Sequence, residues 1–351
     1  MHVPDGFINA PVSAVTGVIA AGAIAVSLRG ARRELDERTA PLAGLVAAFI
    51  FSVQMLNFPV AAGTSGHLLG GALAAILVGP YTGVLCVSVV LLMQGILFAD
   101  GGLTALGVNI TDMAIVTTVV AYAVFRGLVK VLPRRRSSVT AASFVAALLS
   151  VPCAALAFTA MYALGGTTDV PVGKVLTAMV GVHVLIGIGE AAITALTVGA
   201  VIAVRPDLVY GARGLTAPLK LRVGGELVDA PAAEPVPAAA RSARSTRKIW
   251  SIGLITALVL AGFVSFYASA SPDGLEKVAH DKGIDAKEQP HHTGDSPLAG
   301  YGVKDISDAR LSGGLAGLIG VGATVVVGSG VFWVIRRRRT QAPAGPRAEA
   351  V

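Results

Sequence analysis

Residues 175–204 read VLTAMVGVHVLIGIGEAAITALTVGAVIAV, a run in which His183 and Glu190 are the only ionisable side chains. A helix rises 1.5 Å per residue and the hydrocarbon core of a bilayer is ~30 Å thick, so about 20 such residues are enough to cross it. The runs at 139–164 and 249–270 are of the same kind. They predict an all-α membrane protein with several spanning helices.

The composition supports this class. Of the 351 residues, 54% are hydrophobic and 14% are charged, whereas soluble proteins carry about 25% charged residues. Cys86 and Cys153 lie singly within apolar runs, so neither a disulfide framework nor a paired-cysteine metal site is expected. Residues 1–6 lack the basic segment of a signal peptide, and we expect the mature chain to begin at Met1.

The apolar runs predict about nine spans, of which the third is short. It begins near Gly66 and ends at the Gly79–Pro80 break. Interrupted segments are tolerated in membranes where they line a cavity, and they often mark a binding site. The predicted spans are 11–28, 42–58, 67–79, 81–98, 108–131, 139–164, 176–204, 249–270 and 312–335.

Lysine and arginine predict the orientation. If the N-terminus is outside, the predicted inside segments are 29–41, 126–138, 205–248 and 336–351, and they hold 22 of the 28 basic residues. Cytoplasmic segments of membrane proteins carry such an excess. We therefore expect a multi-pass protein of the cell membrane, N-terminus out and C-terminus in. The net charge of +7 then reflects topology and does not indicate nucleic-acid binding.

The chain divides at a segment rich in Ala, Pro and Arg. Residues 205–248 predict a cytoplasmic linker, semi-rigid where proline is dense. It separates a seven-helix module, 1–204, from a two-helix module, 249–339. The second module has a polar outside loop, 271–311, and residues 340–351 predict a disordered cytoplasmic tail.

The first two residues have metal-binding chemistry. Met1-His2 presents an α-amine, an amide nitrogen and an imidazole, which together can surround one ion in five- and six-membered chelate rings. One further nitrogen would complete the square plane that Ni(II) and Cu(II) favour. His67 lies on the same predicted outer side, beside the short span. Taken singly, an N-terminal histidine is often incidental and a histidine at the membrane boundary often caps or packs.

Three stretches resemble a known family. MHVPDGFIN (1–9), QMLNFPVAAGTSGHLLGGALAAILVGP (54–80) and LLMQGILFADGGLTALGVNITDMA (91–114) are similar to the CbiM/NikM family, the S components of energy-coupling factor (ECF) importers for cobalt and nickel. SPDGLEKVA (271–279) resembles the PDGLE domain, a relative of NikN and CbiN. The chain thus resembles a fused NikM–NikN protein.

The resemblance implies a transport subunit that is not an enzyme and has no prosthetic group. The cargo, Ni²⁺ or Co²⁺, would be bound by the Met1 amine, the His2 amide and imidazole, and the His67 imidazole. The chain lacks GxxxxGK[ST], so a CbiQ/NikQ-type coupling subunit and CbiO/NikO-type ATPases are the implied partners. One departure is Asp112, where the family pattern has Asn.

Further residues are candidates for supporting roles. We expect Asp5, Asn57, Ser65 and Asn109 to orient the N-terminal loop through hydrogen bonds. Small residues four apart predict a helix contact with the coupling subunit; these are Gly17, Ala21 and Ala25.

Two sets of polar residues have open alternatives. His183 and Glu190 share a helix face and either support the site, by contact or by proton coupling, or pack against a neighbouring subunit. His280, His291 and His292 either deliver metal or belong to a solvated loop. Two rival functions follow: a proton-coupled secondary metal transporter using His183 and Glu190, and a membrane metalloenzyme, for which no acid–base pair near His67 is evident.

Overall fold

The computed structural model describes residues 1–36, 39–61, 63–213, 220–223, 226–229 and 239–340. These residues form a helical bundle, which confirms the predicted all-α class. The helices are α1 Ala10–Glu34, α2 Thr39–Gln54, α3 Gly71–Val78, α4 Pro80–Met93, α5 Leu106–Asn109, α6 Thr117–Val131, α7 Arg136–Gly165, α8 Val172–Val204, α9 Ala239–Gly262, α10 Gly274–Lys282 and α11 Ala309–Thr340.

Two π-helical segments extend these helices. Gln94–Phe98 continues α4, and Ile110–Val116 joins α5 to α6. Two strand pairs complete the secondary structure. Strand β1, Phe58–Pro59, pairs antiparallel with β2, Ser65–Gly66. Strand β3, Lys220–Val223, pairs antiparallel with β4, Glu226–Asp229.

Each of the nine predicted spans contains a helix. In the described part of the chain, seven helices are long and apolar enough to cross a membrane. The other two are α2, with 16 residues, and α3, with 8. The second span was predicted to reach residue 58, but α2 ends at Gln54 because the chain continues into β1. Within the predicted linker, 205–248, residues 214–219, 224–225 and 230–238 lie outside the described residues. Its described part contains β3, β4 and the beginning of α9. The predicted tail, 340–351, lies outside the described residues from 341 onwards.

The shortness of α3 has a local cause at both ends. Gly70 precedes the helix with a φ of +90°, and Gly79 follows it with a φ of +104°, backbone conformations that favour glycine. Pro80 then opens α4 without a loop, at the helix position where its missing N–H costs least. Glu34, at the end of α1, accepts the N–H groups of Tyr81 and Thr82 and so caps α4.

Every residue of α3 is buried, so this helix is a central element surrounded by α2, α4, α6 and α7. The residues before it, 67–70, form no regular secondary structure, and His67 among them lies against Met1, at the end of the bundle where α1 begins. Because the third span is short, His67 lies inside the protein, in the place that the first turns of a full-length helix would otherwise occupy.

The second module packs against the first through close helix contacts. Helices α9 and α11 lie along α2, and α10 lies against α8. A Cβ added at Gly44 of α2 would stand 2.4 Å from Ser329 Oγ of α11, so the two helices meet backbone to backbone. Small residues permit this kind of approach in lipid.

Candidate metal site

The first nine residues are folded into one end of the bundle. Met1 is 2% exposed and Val3 is fully buried. A buried backbone must find hydrogen-bond partners, and Asn109 supplies them: its Oδ1 accepts the Val3 N–H at 2.7 Å, and its Nδ2 donates to the Val3 carbonyl at 3.1 Å. Gly102 N–H donates to the same carbonyl. The side chain of Asn109 thus fixes the peptide that follows His2.

Asp5 ties the next turn to the loop before α5. Its carboxylate accepts the Thr104 N–H at 2.8 Å, the Thr104 hydroxyl, and the Leu103 N–H at 3.3 Å. Gly6 follows with a φ of +92°, which suits glycine. The Thr167 hydroxyl donates to the Gly6 carbonyl at 2.6 Å. The N-terminal segment is thus held on one side by the loop before α5 and on the other by Thr167.

The Met1 amine meets His67 inside the bundle. The amine nitrogen lies 2.5 Å from His67 Nε2, and the rings of His2 and His67 stack with centroids 5.1 Å apart. His67 Nδ1 lies 3.0 Å from the Leu68 carbonyl. Since a carbonyl only accepts, Nδ1 carries the hydrogen, and the lone pair of Nε2 faces the amine.

The loop that carries His67 is held from two helices. Glu190 of α8 accepts the Leu69 N–H at 2.7 Å and the Gly70 N–H at 3.1 Å. Gln54 of α2 donates to the Leu69 carbonyl at 3.0 Å. Glu190 is fully buried, and both of its oxygens serve the backbone beside His67. Its structural role is therefore to position that loop.

His2 is held by two polar side chains at the end of α4. Its Nε2 lies 3.0 Å from Gln94 Oε1, and its Nδ1 lies 3.3 Å from Asp100 Oδ1. Burial lowers the pKa of His2 to about 4; Asp100 opposes this shift, and the Met1 ammonium adds to it. The ring is therefore neutral near pH 7. A neutral ring has a single N–H, which can donate to Gln94 or to Asp100. A chelate with the Met1 amine requires the tautomer that donates to Gln94, because that one leaves the lone pair on Nδ1.

Asp273 of the second module also reaches the site, and sequence reasoning did not identify it. Its Oδ2 lies 2.5 Å from the Met1 amine and 3.4 Å from His67 Nε2. Its Oδ1 accepts the N–H groups of Leu275 and Glu276 and so caps α10. Burial alone would raise the pKa of Asp273, but the Met1 ammonium and His67 outweigh it and hold the pKa well below its usual range. The carboxylate therefore stays ionised.

The sequence around Asp273 has a recognisable pattern, but that pattern predicts a helix cap and not a contact with Met1. Asp273 and Glu276 have the spacing of a capping box, and Glu276 accepts the Asp273 N–H in return at 2.8 Å. That pattern predicts where a helix begins. It contains no information about a partner at the other end of the chain.

The residues around Asp273 dock the second module on the first. Ser65 N–H donates to the Pro272 carbonyl, and the Ser65 hydroxyl to that of Ser271, both at 2.8 Å. Ser269 N–H donates to the Asn57 carbonyl at 2.7 Å. Asn57 and Ser65, which the sequence predicted to orient the N-terminal loop, are thus bonded to the second module in these contacts.

Among the described residues, His2, His67 and Asp273 form one group whose ligand atoms lie within 4.8 Å of one another. Two cavities reach it. One, of about 480 Å³, is bordered by His2, His67, Asp100 and Asp273. The other, of about 510 Å³, lies beside residues 272–291, with His280 and His291 in its lining.

The remaining histidines lie away from the cluster or beside it. His280 is exposed and pairs with Asp285 at 3.0 Å, and His292 is exposed. His291 Nε2 lies 3.1 Å from the Gly101 carbonyl. His183 is 1% exposed and lines a small cavity beside Met1 and His67.

Three predictions concern residues outside the cluster. Gly17 contacts Gly107 within this chain, since a Cβ at Gly107 would stand 2.4 Å from Gly17 N. Ala21 and Ala25 are exposed on the outer face of α1. Asp112 is fully buried, and in the described structure its carboxylate oxygens have no hydrogen-bond partner.

The fold and the cluster together define a polytopic membrane protein with a set of nitrogen and oxygen donors, of the kind that binds transition metals, at one end of the bundle. Residues 2–208 match the CbiM family, described as the cobalt uptake substrate-specific transmembrane region. The chain therefore belongs to the CbiM family. Residues 247–337 match the PDGLE domain, so the chain has the fused architecture that its motifs predicted.

Relatives agree with this assignment. A protein of Haloquadratum walsbyi, provisionally named a metal transport protein, is 39% identical over 210 residues, which cover 60% of this chain and 94% of the relative. The fused nickel transport protein NikMN of Rhodobacter capsulatus is 44% identical over 125 residues, 36% of each chain.

A solved structure titled as a truncated transition metal transporter superposes with a TM-score of 0.52 and 27% identity, over 58% of this chain and 99% of that one. The names in the family are those of cobalt and nickel transport proteins. The chain is therefore a component of metal transport and not an enzyme.

Proposed function

We propose that the chain is the substrate-binding S component of an ECF-type importer and captures Ni²⁺ or Co²⁺ at the outer membrane face. The observation that carries this proposal is the approach of the Met1 amine to His67 Nε2 at 2.5 Å. Adjacent nitrogens on one square-planar ion stand about 2.9 Å apart, since metal–nitrogen bonds are ~2.0–2.1 Å long. The amine and the imidazole therefore need to separate by only a few tenths of an ångström to admit an ion between them.

The ligand set we propose is the Met1 amine, the His2 amide and Nδ1, and His67 Nε2. The ion replaces protons on the amine and the amide when it binds, because ligands must be deprotonated. This ligand set uses the tautomers in which His2 donates its N–H to Gln94 and keeps the lone pair on Nδ1, and His67 donates its N–H to the Leu68 carbonyl and keeps the lone pair on Nε2. Four nitrogens in this order favour a square-planar ion.

Supporting residues act through these ligands. Asn109 and Asp5 hold the backbone of the N-terminal segment, and Asp273 accepts a hydrogen bond from the Met1 amine. A coordinated amine retains N–H groups, so Asp273 remains its acceptor after the ion binds. Ser65 and Asn57 anchor the segment that carries Asp273. Partners of this kind orient metal ligands and raise affinity.

The proposed orientation puts the cluster outside and the basic segments inside. The contacts of residues 1–9 with Asp273 and Gln289 join two predicted outside segments. Arg29, Arg126 and Arg136 lie near the opposite helix ends. The proposed division is a metal-binding module, 1–204, and a two-helix module, 249–339. The exposed Ala21 and Ala25 on α1 are available to a CbiQ/NikQ-type coupling subunit, and CbiO/NikO-type ATPases would drive transport.

Reconstitution into vesicles tests this proposal. The chain is combined with a coupling subunit and ATPases of the types named above, and uptake of radioactive nickel and cobalt is followed with and without ATP. We expect accumulation that requires both ATP and a catalytically intact ATPase. Uptake by the chain alone, driven by a proton gradient, would instead establish the secondary transporter.

A further inference from the structure

Tyr301, in the outside loop of the second module, reaches both polar partners of His2. Its hydroxyl donates to Asp100 Oδ2 at 2.6 Å, the length of a strong hydrogen bond to a charged oxygen. Burial and the charge of Asp100 raise the pKa of this hydroxyl, whereas a hydrogen bond from the Gln94 side chain lowers it. Gln94 Nε2 is buried and has no hydrogen bond of standard geometry among the described residues. A buried donor needs an acceptor, and the Tyr301 oxygen is the one beside it.

The ring of Tyr301 is held in place by aromatic packing. It stacks on Phe98 with ring centroids 4.8 Å apart, and its centroid lies 6.4 Å from that of Phe51. The backbone at Gly300 and Tyr301 has φ values of +65° and +58°. A positive φ is uncommon for a residue with a side chain, and such conformations cluster at functional sites. The loop thus adopts an unfavourable conformation in which the Tyr301 hydroxyl lies at Asp100.

The direction of these hydrogen bonds decides which nitrogen of His2 carries the hydrogen. Tyr301 gives its single hydroxyl hydrogen to Asp100, so towards Gln94 its oxygen can only accept. Gln94 then turns its amide nitrogen to Tyr301 and its Oε1 to His2, where Oε1 lies 3.0 Å from Nε2. An amide oxygen only accepts, so Nε2 carries the hydrogen and Nδ1 keeps its lone pair.

A second arrangement of the same groups would block the metal site. If the Gln94 amide were rotated by half a turn, it would donate to His2 Nε2. His2 would then carry its hydrogen on Nδ1, where Asp100 Oδ1 lies 3.3 Å away. A carboxylate is a stronger acceptor than an amide, so His2 and Asp100 alone would favour this tautomer. Tyr301 opposes it, because its hydroxyl would have to leave Asp100 in order to donate to Gln94 Oε1.

We propose that Tyr301 is a positioning residue of the metal site: through Gln94 and Asp100, it keeps His2 in the tautomer that presents Nδ1 to the ion. The inference rests on the proposed function, in which His2 Nδ1 is a ligand, and it adds no ligand to that set. Hydrogen-bond partners of metal-binding histidines generally fix the tautomer and the ring orientation. Here a tyrosine of the second module does so for a ligand of the first.

Nuclear magnetic resonance of the metal-free, full-length protein with ¹⁵N-labelled histidine tests this proposal, because ring nitrogens with and without hydrogen have well separated shifts. The His2 signals are those absent from His2→Gln. In the wild-type protein we expect the hydrogen on Nε2. In Tyr301→Phe, which keeps the ring between Phe51 and Phe98, we expect a shift towards hydrogen on Nδ1. Hydrogen on Nδ1 in the wild type, or the same tautomer in both proteins, would overturn the proposal.

Titration with Ni²⁺ supplies a second readout. Tyr301→Phe should bind nickel roughly 10–100-fold more weakly than the wild type. Tyr267→Phe removes a hydroxyl from a side chain that is 72% exposed; it is the matched control and should bind as the wild type does. Unchanged affinity in Tyr301→Phe would overturn this proposal and leave the proposed function intact. A wild-type protein that binds no nickel would overturn both.

The double variant Tyr301→Phe/Asp100→Ala separates positioning from packing. Without the Asp100 carboxylate, a hydrogen on His2 Nδ1 has lost its acceptor. His2 should therefore return to the tautomer that donates to Gln94, and part of the nickel affinity should recover. A second truncation would not repair a packing defect at residue 301, so a double variant without any recovery would contradict the proposal. Should Tyr301→Phe fail to fold, the His2 tautomer of the wild-type protein decides alone.

Discussion

Asp273 Oδ2 lies 2.5 Å from the α-amine of Met1, although 272 positions separate the two residues. The contact joins the first residue of the first module to the residue that caps helix α10 of the second module. One carboxylate thus has two tasks: its Oδ1 holds the start of α10, and its Oδ2 holds the amine. The second module is therefore part of the site's structure.

Asp273→Asn separates these two tasks. Asparagine caps helices about as well as aspartate, so α10 should persist, but the negative charge beside the amine is lost. Side chains that orient a metal ligand typically contribute roughly 10–100-fold to metal affinity, so we expect nickel to bind roughly 10–100-fold more weakly. Isothermal titration of the detergent-purified protein measures this effect.

Asp273→Ala is the companion variant, because it removes the cap as well. It should lower the melting temperature in addition to the nickel affinity, whereas Asp273→Asn should lower the affinity with little change in melting temperature. Equal affinity in wild type and both variants would show that Asp273 does not influence the ligand set.

Glu190→Gln tests the loop that carries His67. The glutamate oxygens accept the N–H groups of Leu69 and Gly70, whereas glutamine offers one acceptor and turns an NH₂ group towards a donor. Leaving a buried donor without its acceptor costs about 1–3 kcal/mol. We expect a lower thermal stability and weaker nickel binding, measured by a melting curve and titration of the same sample. A Glu190→Gln protein with unchanged melting temperature and unchanged nickel affinity would contradict the role of Glu190 in positioning the loop.

Asn109→Ala and Asn57→Ala form a matched pair. Asn109 holds Val3 through its side chain, so its removal frees the peptide beside His2, and we expect a roughly 10–100-fold loss of nickel affinity. Asn57 receives Ser269 N–H on its backbone carbonyl, which alanine retains. Its replacement should therefore have a much smaller effect. A larger loss of nickel affinity in Asn57→Ala than in Asn109→Ala, measured by titration, would refute this assignment.

The bundle was predictable because membrane spans are long and apolar. The shortness of α3 also followed from sequence, since Gly79–Pro80 and the glycines before residue 71 stop the helix at both ends. The π-helical segments at Gln94–Phe98 and Ile110–Val116 were not predicted. A π-helical turn depends on how neighbouring helices pack, and apolar periodicity contains no sign of it.

The site was predictable only in part. Placing Met1, His2 and His67 on one side needed only the count of spans and the positions of basic residues. The contact of Asp273 with the amine depends on how the two modules pack, which local patterns do not specify. The same packing gives Ser65 and Asn57 partners in the second module, and it buries His183 beside the cluster and not at a subunit boundary.

The proposed site requires that the chain's own α-amine binds the ion. Isothermal titration with Ni²⁺ of the protein beginning at Met1, beside the same protein with a short peptide added before Met1, tests it most directly. The extension converts the amine into an amide and places extra residues where Met1 is 2% exposed. We expect stoichiometric binding by the first protein and none by the second. Stoichiometric binding by the extended protein, at unchanged affinity, would contradict it.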